Sequence, residues 1–182
     1  MIVFGTLQSC IPLRIAPNIK ENKVVLAKKF KRSLPRRNAF IFEDPKMSNE
    51  FYSYINTKYK LDDVNVQYNV PVVIENENFF LTFYEVEIPN KFINLLPIAA
   101  DIVLAPKEDE NDKYGYKHEP YFEDMYVTRT GNWYVAILVN NEKIEDCLKE
   151  GHSSKDKVAK FLENTRKEYL STQNYLEAYL HQ

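Results

Sequence analysis

The stretch VVIENENFFLTFYEVEI, residues 72–88, gives the strongest indication of the fold. Two runs rich in β-branched and aromatic residues, 72–75 and 79–88, flank the polar segment 76–78. Such runs favour strands and short polar segments favour turns, so the pattern predicts a β-hairpin. The second strand begins with apolar residues on both faces, which indicates a central position in a sheet. We expect Pro89 to end it.

Apolar patterns on either side of this hairpin predict further strands and helices. Alternation of Val or Tyr with polar residues over 64–70 indicates a strand with one exposed face. Apolar positions at helical spacing indicate two amphipathic helices, over about 48–59 and about 154–181. Weaker patterns predict strands over 2–7, 23–27, 39–42 and 102–104, a second hairpin with strands 125–129 and 133–139 around a turn at 130–132, and a helix over 142–150.

Together these elements predict an α+β fold in a single domain over residues 1–182. We expect a mainly antiparallel sheet built from hairpins, with the short helix at about 48–59 and the long C-terminal helix at about 154–181 packed on one face. Residues from about 106 to 124 are rich in Asp, Glu, Lys and Tyr and should form a long exposed loop.

Composition indicates a globular protein in a reducing compartment. Of the 182 residues, 45% are hydrophobic, enough for a sizeable core. No apolar run approaches the roughly 18–20 residues of a membrane helix, and the apolar start of the chain lacks the pattern of a signal peptide. Cys10 and Cys147 match neither redox nor zinc spacing. We therefore expect a cytoplasmic protein with reduced thiols and no membrane partner.

Sequence motifs for catalysis or cofactor binding fail on spacing. Only four glycines are present, and neither phosphate-binding loop nor serine-hydrolase elbow occurs. A calcium loop starting at Asp109 would place Lys113 at its fifth position. Asp44 and Lys46 have the spacing of a nuclease acid–lysine pair, but Pro45 between them breaks the strand context. We expect no cofactor, no metal and no enzymatic activity.

Charge is distributed unevenly along the chain. The net charge of −2 combines +8 over residues 1–60 (12 Lys and Arg, 4 Asp and Glu) with −10 over residues 61–182 (12 and 22). Concentrated like charge is what a charged partner recognises.

The positive charge is concentrated in the basic segment, residues 20–37, which contains Glu21 as its one acidic residue. Cations neutralise phosphates and aromatic rings stack on bases, so Phe30 and Phe40 beside the cations fit a nucleic-acid surface. A basic rim can equally dock an acidic protein, or remain a solvated face. The candidate residues for binding a protein or nucleic acid are Lys28, Lys29, Phe30, Lys31, Arg32, Arg36 and Arg37.

The acidic loop is the second candidate contact surface. Tyrosine offers a large contact area with a polar tip, which suits recognition surfaces, although tyrosines also cover sheet edges. The candidate partner-binding residues here are Glu108, Asp109, Glu110, Asp112, Tyr114, Tyr116, Tyr121, Glu123 and Asp124.

Three functional hypotheses fit the sequence. The first is a non-catalytic protein-binding accessory subunit, inhibitor or immunity-type protein within a larger assembly, of a kind found in phages and mobile elements. The alternative is a nucleic-acid-binding accessory protein that uses the basic segment. The third is an enzyme with a dispersed active site, such as His118 with Glu119 or Asp124.

Overall fold

The computed structural model describes residues 10–46, 49–104, 121 and 127–172. Within these ranges the elements are β1 (Cys10–Arg14), β2 (Lys23–Leu26), α1 (Ala27–Phe30), β3 (Asn38–Asp44), α2 (Glu50–Tyr59), β4 (Val70–Ile74), β5 (Glu77–Asn94), α3 (Leu95–Leu104), β6 (Val127–Asn141) and α4 (Lys155–Ser171).

The strands form a mainly antiparallel sheet, which confirms the predicted α+β fold class. Strand neighbours follow the order β1-β5-β6-β3-β2, and β4 also pairs with β5. By their contacts, the residues separate into two compact units. Unit 1 is drawn from Met1–Pro17 and Pro89–Gly131, and unit 2 from Asn18–Ile88 and Asn132–Gln182.

The hairpin predicted around residues 76–78 is confirmed, with a tighter turn than expected. Ile74 pairs with Glu77, so only Glu75 and Asn76 connect β4 to β5. Both turn residues have positive φ, 50° and 64°. Two consecutive left-handed residues define the type I′ turn, whose twist matches that of the flanking strands.

Aromatic side chains from three elements meet in the core of unit 2. The ring of Phe51 on α2 lies 4.9 Å from that of Phe83 on β5 and 5.0 Å from that of Tyr169 on α4, between centroids. Each of these rings is fully buried. Burying a side chain of this size stabilises the fold by about 2–3 kcal/mol. The apolar face predicted for the short helix therefore belongs to the core.

The N-terminus of α2 is capped by a side chain from a neighbouring strand. One carboxylate oxygen of Glu85 accepts the N–H of Asn49 at 2.7 Å, and the other accepts that of Tyr52 at 3.2 Å. A carboxylate here satisfies otherwise unpaired N–H groups and is favoured by the helix dipole. The sequence signal for this cap lies 36 residues away from Asn49, so local pattern could not reveal it.

Unit 1 contains β1, the second half of β5, and α3. Residues 10–14 pair antiparallel with residues 91–94, and a register shift between Pro12 and Arg14 leaves Leu13 unpaired as a bulge. The backbone N–H of Ala16 donates to Oδ1 of Asn90 at 2.6 Å, which ties the chain beyond β1 to β5.

The strand predicted over 64–70 is wrong except for its last residue. The chain turns repeatedly before β4 begins at Val70. Asn and Asp tolerate the left-handed region because their side chains can hydrogen-bond the local backbone, and this outweighs the alternating valines. The residues with positive φ in this stretch are Lys60, Asp62, Asp63, Asn65 and Asn69.

Two expectations around Pro89 are also wrong. Strand β5 continues through Pro89 to Asn94, because this proline lies between the residues that pair with β4 and those that pair with β1. Residues 102–104 are helical in α3 instead of extended. Pro97 is accommodated in the first turn of α3, where a missing N–H breaks no helical bond.

The second hairpin and the helix over 142–150 are wrong as well. Strand β6 runs from Val127 to Asn141 with no turn at 130–132. After it, Oδ1 of Asn141 accepts the N–H groups of Lys143 and Glu145, and Ile144 has a positive φ of 61°. An asparagine side chain that bonds its own neighbours competes with helix formation.

The C-terminal helix is confirmed over most of the predicted length that is described. Helix α4 begins at Lys155 and ends at Ser171, because Thr172 is extended. Its buried side chains recur at helical spacing, as the sequence pattern predicted: Val158, Leu162, Thr165 and Tyr169. Residues 173–182, like the strand predicted over 2–7, lie outside the described residues.

Candidate interaction surfaces

The second half of the basic segment connects β2 to β3, and we call it the basic loop (residues 27–37). The ladder ends at the pair Leu26 and Asn38, and the N–H of Ala27 donates to the carbonyl of Arg37 at 2.8 Å. Ala27 and Leu34 are buried and anchor the loop. The loop is therefore held at its base and at its tip.

Three of the seven predicted basic-surface residues make contacts within unit 2. The ring of Phe30 packs edge-on against Tyr134, with centroids 5.2 Å apart. Lys31 Nζ donates to the carbonyl of Glu87 at 3.2 Å, and Arg37 donates to Oδ1 of Asn140 and to the carbonyl of Ile144. These contacts hold the loop in place.

The other four predicted cations point into solvent. Together with two from the start of the basic segment they form what we call the cationic surface: Lys20, Lys23, Lys28, Lys29, Arg32 and Arg36. None of the six forms an ion pair with any carboxylate in residues 10–46, 49–104, 121 or 127–172. Elsewhere in unit 2, by contrast, Lys58 pairs with Glu168 and Lys157 with Glu77, both at 2.6 Å.

Phe40 does not belong to this surface. It is 1% exposed and packs against Phe42, with ring centroids 6.3 Å apart. The expectation that Phe30 and Phe40 stack on bases is therefore wrong for Phe40, because its strand turns that face into the core. Phe30 is only half-buried, but its ring is engaged with Tyr134.

The acidic loop lies outside the described residues except for Tyr121. Its side chain is exposed, and its backbone N–H donates to Oδ1 of Asp101 at 2.9 Å. The predicted contacts from Glu108 to Tyr116, at Glu123 and at Asp124, and the dispersed site around His118 and Glu119, thus stay predictions.

Helix α3 presents an inverted arrangement of polar and apolar residues. Its sequence, LLPIAADIVL, contains one charged residue, Asp101, and Asp101 is its only buried side chain at 8% exposure. Ile102 is 72% exposed and Val103 is 82% exposed. We call the solvent side of this helix the α3 apolar face: Leu96, Ala99, Ile102, Val103 and Leu104.

Comparison with protein-family models, curated proteins and solved structures finds no significant match to this chain.

The Cys147 thiol has the environment of a structural residue. It is fully buried, and burial raises its pKa to about 11. A thiolate is the reactive form of cysteine, so a raised pKa disfavours nucleophilic chemistry at neutral pH. His152, the nearest base in sequence, instead accepts the N–H of Ser154 on Nδ1 at 3.1 Å.

A cluster of ionisable side chains, the buried Asp44 and Tyr169 with the half-buried Lys46, joins the end of β3 to the end of α4. Tyr169 Oη donates to Oδ2 of Asp44 at 2.8 Å, and the N–H of Lys46 donates to Oδ1 at 3.0 Å. Lys46 Nζ donates to the carbonyls of Tyr169 at 2.6 Å and Thr172 at 2.5 Å. Burial raises the pKa of Asp44 and lowers that of Lys46.

This arrangement explains Asp44 and Lys46 without catalysis. Lysine at a helix C-terminus satisfies carbonyls that lack helical partners and complements the dipole. The carboxylate is occupied by a tyrosine and a backbone amide. Within the part of the chain that the structure describes, no three His, Cys, Asp or Glu side chains converge as a metal site would require.

Sequence reasoning identified the basic segment and missed the α3 apolar face. A signal for the face existed: nine of the ten residues in LLPIAADIVL are uncharged and apolar. The sequence predicted only a strand over 102–104, and a short apolar run does not reveal whether its own chain covers it. No helix among the described residues is long and apolar enough to cross a bilayer.

Proposed function

We propose that this chain is a non-catalytic protein-binding protein that acts within a larger protein assembly, with α3 as the contact element. The observation that carries this proposal is the α3 apolar face, which is exposed over most of the helix.

Exposed apolar side chains are concentrated in unit 1. Of the large apolar side chains exposed among the described residues, eight belong to unit 1 and four to unit 2, although unit 1 contributes far fewer residues. Single exposed apolar residues are ordinary, whereas a contiguous group marks an interaction site. This concentration supports a contact surface in unit 1.

The spacing on α3 fits one mode of recognition. Leu96, Ala99 and Val103 stand at positions i, i+3 and i+7, which lie along one side of a helix. A helix with such a stripe binds by laying it into an apolar groove of the partner. We therefore assign the occupant as a protein whose groove is apolar.

Charge supports the same choice. Between residues 89 and 104 the charged residues are Lys91 and Asp101, and Asp101 is buried. A charged partner would find nothing to pair with on this helix. The hydrogen bond from Tyr121 to Asp101 lies on the opposite side and fixes the orientation of the face.

Site-specific photo-crosslinking in the native host would test this proposal. A benzophenone amino acid replaces Val103 on α3, and in a matched control it replaces Val73, which is 66% exposed on β4. We expect one discrete partner band from position 103 and none from position 73. With the purified partner, Val103→Lys should weaken binding at least tenfold, whereas Val73→Lys should change it little.

Three outcomes would contradict the proposal. Equal crosslinking from both positions would indicate non-specific adhesion, and no crosslink from position 103 would leave the face without a partner. Crosslinking of the chain to a second copy of itself would replace the assigned partner with a homodimer.

A further inference from the structure

We propose that the cationic surface binds the phosphate backbone of double-stranded nucleic acid without reading its sequence. The surface consists of six exposed cations that form no ion pair among the described residues: Lys20, Lys23 on β2, and Lys28, Lys29, Arg32 and Arg36 in the basic loop. It shares no residue with α3, so this inference and the proposed protein contact are independent.

Several cations of unit 2 outside the cationic surface form ion pairs with glutamates of the same unit. Lys157 and Lys167 each pair with a glutamate, and Arg166 makes two hydrogen bonds of 2.8 Å to Glu163. The chain carries a net charge of −2, so an excess of positive charge does not explain the unpaired group. The six side chains of the cationic surface are exposed and can bind an anion from outside the chain.

The surface is also preorganised. Ala27 and Arg37 close the basic loop by a backbone hydrogen bond, and the loop's own turns are held by bonds of 3.0 Å from Lys31 to Ala27 and from Leu34 to Lys31. A fixed backbone means that binding orders only the long side chains, which reduces the entropy lost on association.

Composition favours phosphate over an acidic protein. Protein interfaces are built around apolar or aromatic anchors and are depleted in lysine. Among residues 18–37 no large apolar side chain is exposed, and four of the six cations are lysines. Phosphate backbones, in contrast, are bound by lysine and arginine charge alone.

The unavailable aromatic rings favour a duplex over a single strand. Single-stranded nucleic acid is bound by stacking its bases on exposed aromatic side chains. Phe40 is buried and Phe30 packs on Tyr134, so this surface offers no free ring. The surface also lies at β2, the last strand in the sheet order, where no further strand of the described chain blocks approach.

Salt dependence of duplex binding tests the inference quantitatively. The observed affinity falls with salt with a logarithmic slope of about −0.9 per phosphate neutralised. If four of the six cations contact phosphates, the slope is about −3.6, and affinity falls roughly 100-fold between about 50 and 200 mM salt. Fluorescence anisotropy with a labelled duplex of about 20 base pairs measures this slope.

Matched double variants locate the binding surface. Lys28→Gln with Lys29→Gln should reduce the slope by about two, because each lysine accounts for about one phosphate. Lys157→Gln with Lys167→Gln changes the net charge equally but removes paired lysines elsewhere in unit 2. This control should leave the slope unchanged. Circular dichroism verifies that both variants fold.

Two duplexes of unrelated sequence should bind equally, and poly-glutamate should bind at least tenfold more weakly than the duplex at equal charge concentration. The inference is overturned if no duplex binding occurs at about 50 mM salt, or if both double variants reduce the slope alike. It is also overturned if single strands bind more tightly than the duplex, or if poly-glutamate binds as well as the duplex, since the latter result would identify the surface as an acidic-protein dock.

Discussion

Helices α3 and α4 have opposite relations to their own units. Helix α4 buries Val158, Leu162 and Tyr169 and turns its charged residues to solvent. Helix α3 buries Asp101 and exposes Ile102 and Val103. The first helix is an ordinary amphipathic element whose apolar stripe stabilises the fold. The second contributes little of its apolar area to its own unit.

This contrast separates residues that maintain the fold from residues free for recognition. Truncating a buried side chain lowers the free energy of unfolding, because the transfer free energy and the contacts around the new cavity are both lost. Truncating an exposed side chain loses neither. The two helices can therefore be distinguished by stability measurements before any partner is known.

Truncation of a buried residue on α4 should have the largest effect. Leu162 is fully buried, so Leu162→Ala should lower the free energy of unfolding by about 3 kcal/mol. The matched change on α3, Ile102→Ala, should lower it by less than about 0.5 kcal/mol. Chemical denaturation with a common slope provides both values. Comparable losses from the two variants would mean that α3 is covered in solution, and the contrast would fail.

Removal of the Tyr169 hydroxyl should have an intermediate effect that depends on pH. Tyr169→Phe keeps the ring in place but removes the donor to Asp44. At pH 7 the loss should be about 2 kcal/mol, because a hydrogen bond to a buried charged group contributes roughly 1.5–3 kcal/mol.

The pH dependence of this loss identifies Asp44 as the partner. Burial raises the pKa of Asp44 in the folded state above its ordinary value of 3.8. The folded state therefore binds the proton more tightly, and Asp44 makes the protein less stable as the pH rises from 3.8 through the folded pKa. Below that pKa the carboxyl is neutral, so the loss from Tyr169→Phe should shrink. A loss that stays constant from pH 3 to pH 7 would contradict this assignment.

Glu163→Gln on α4 should have a smaller effect than Leu162→Ala and Tyr169→Phe. Hydrogen bonds from Arg166 lower the pKa of Glu163 from 4.5 to about 2. Its stabilising contribution is present above pH 4.5 and is lost as the pH falls toward 2. Solvent screening limits that contribution to about 1 kcal/mol.

Acid denaturation of the wild type and Glu163→Gln should therefore differ above pH 4.5 and converge near pH 2. Glu150→Gln is the control, because Glu150 pairs with Lys155 but is almost fully exposed. A parallel offset at every pH would show that Glu163 acts through packing.

The sequence predicted those elements whose information is local. The hairpin at β4 and β5 and the stripe of α4 depend on residues that are close together in the chain, and both are confirmed. The strand predicted over 64–70 failed because Asp62, Asn65 and their neighbours adopt left-handed turns, a local preference that the valine pattern concealed. The helix predicted over 142–150 failed for a related reason at Asn141.

The candidate surfaces show a similar limit. Charge could be counted from the sequence, so the basic segment was found. Its division into anchoring residues, such as Lys31 and Arg37, and exposed ones, such as Lys28 and Lys29, depends on contacts with residues more than 50 positions away. The exposure of α3 could not be predicted, because an apolar helix has the same sequence pattern whether its own chain buries it or leaves it exposed.

The pairing of β1 with the far end of β5 has a consequence during synthesis. The hydrogen bond from the N–H of Ala16 to Asn90 can form only after another 74 residues have been synthesised. At ribosomal rates of about 5–20 residues per second, this delay lasts roughly 4–15 s. During that interval the apolar segment with Ile11, Leu13 and Ile15 lacks β5, the strand that pairs with β1 among the described residues. The proline at position 12 lacks an N–H for foreign strands to pair with, which protects the nascent chain when it is most prone to aggregate.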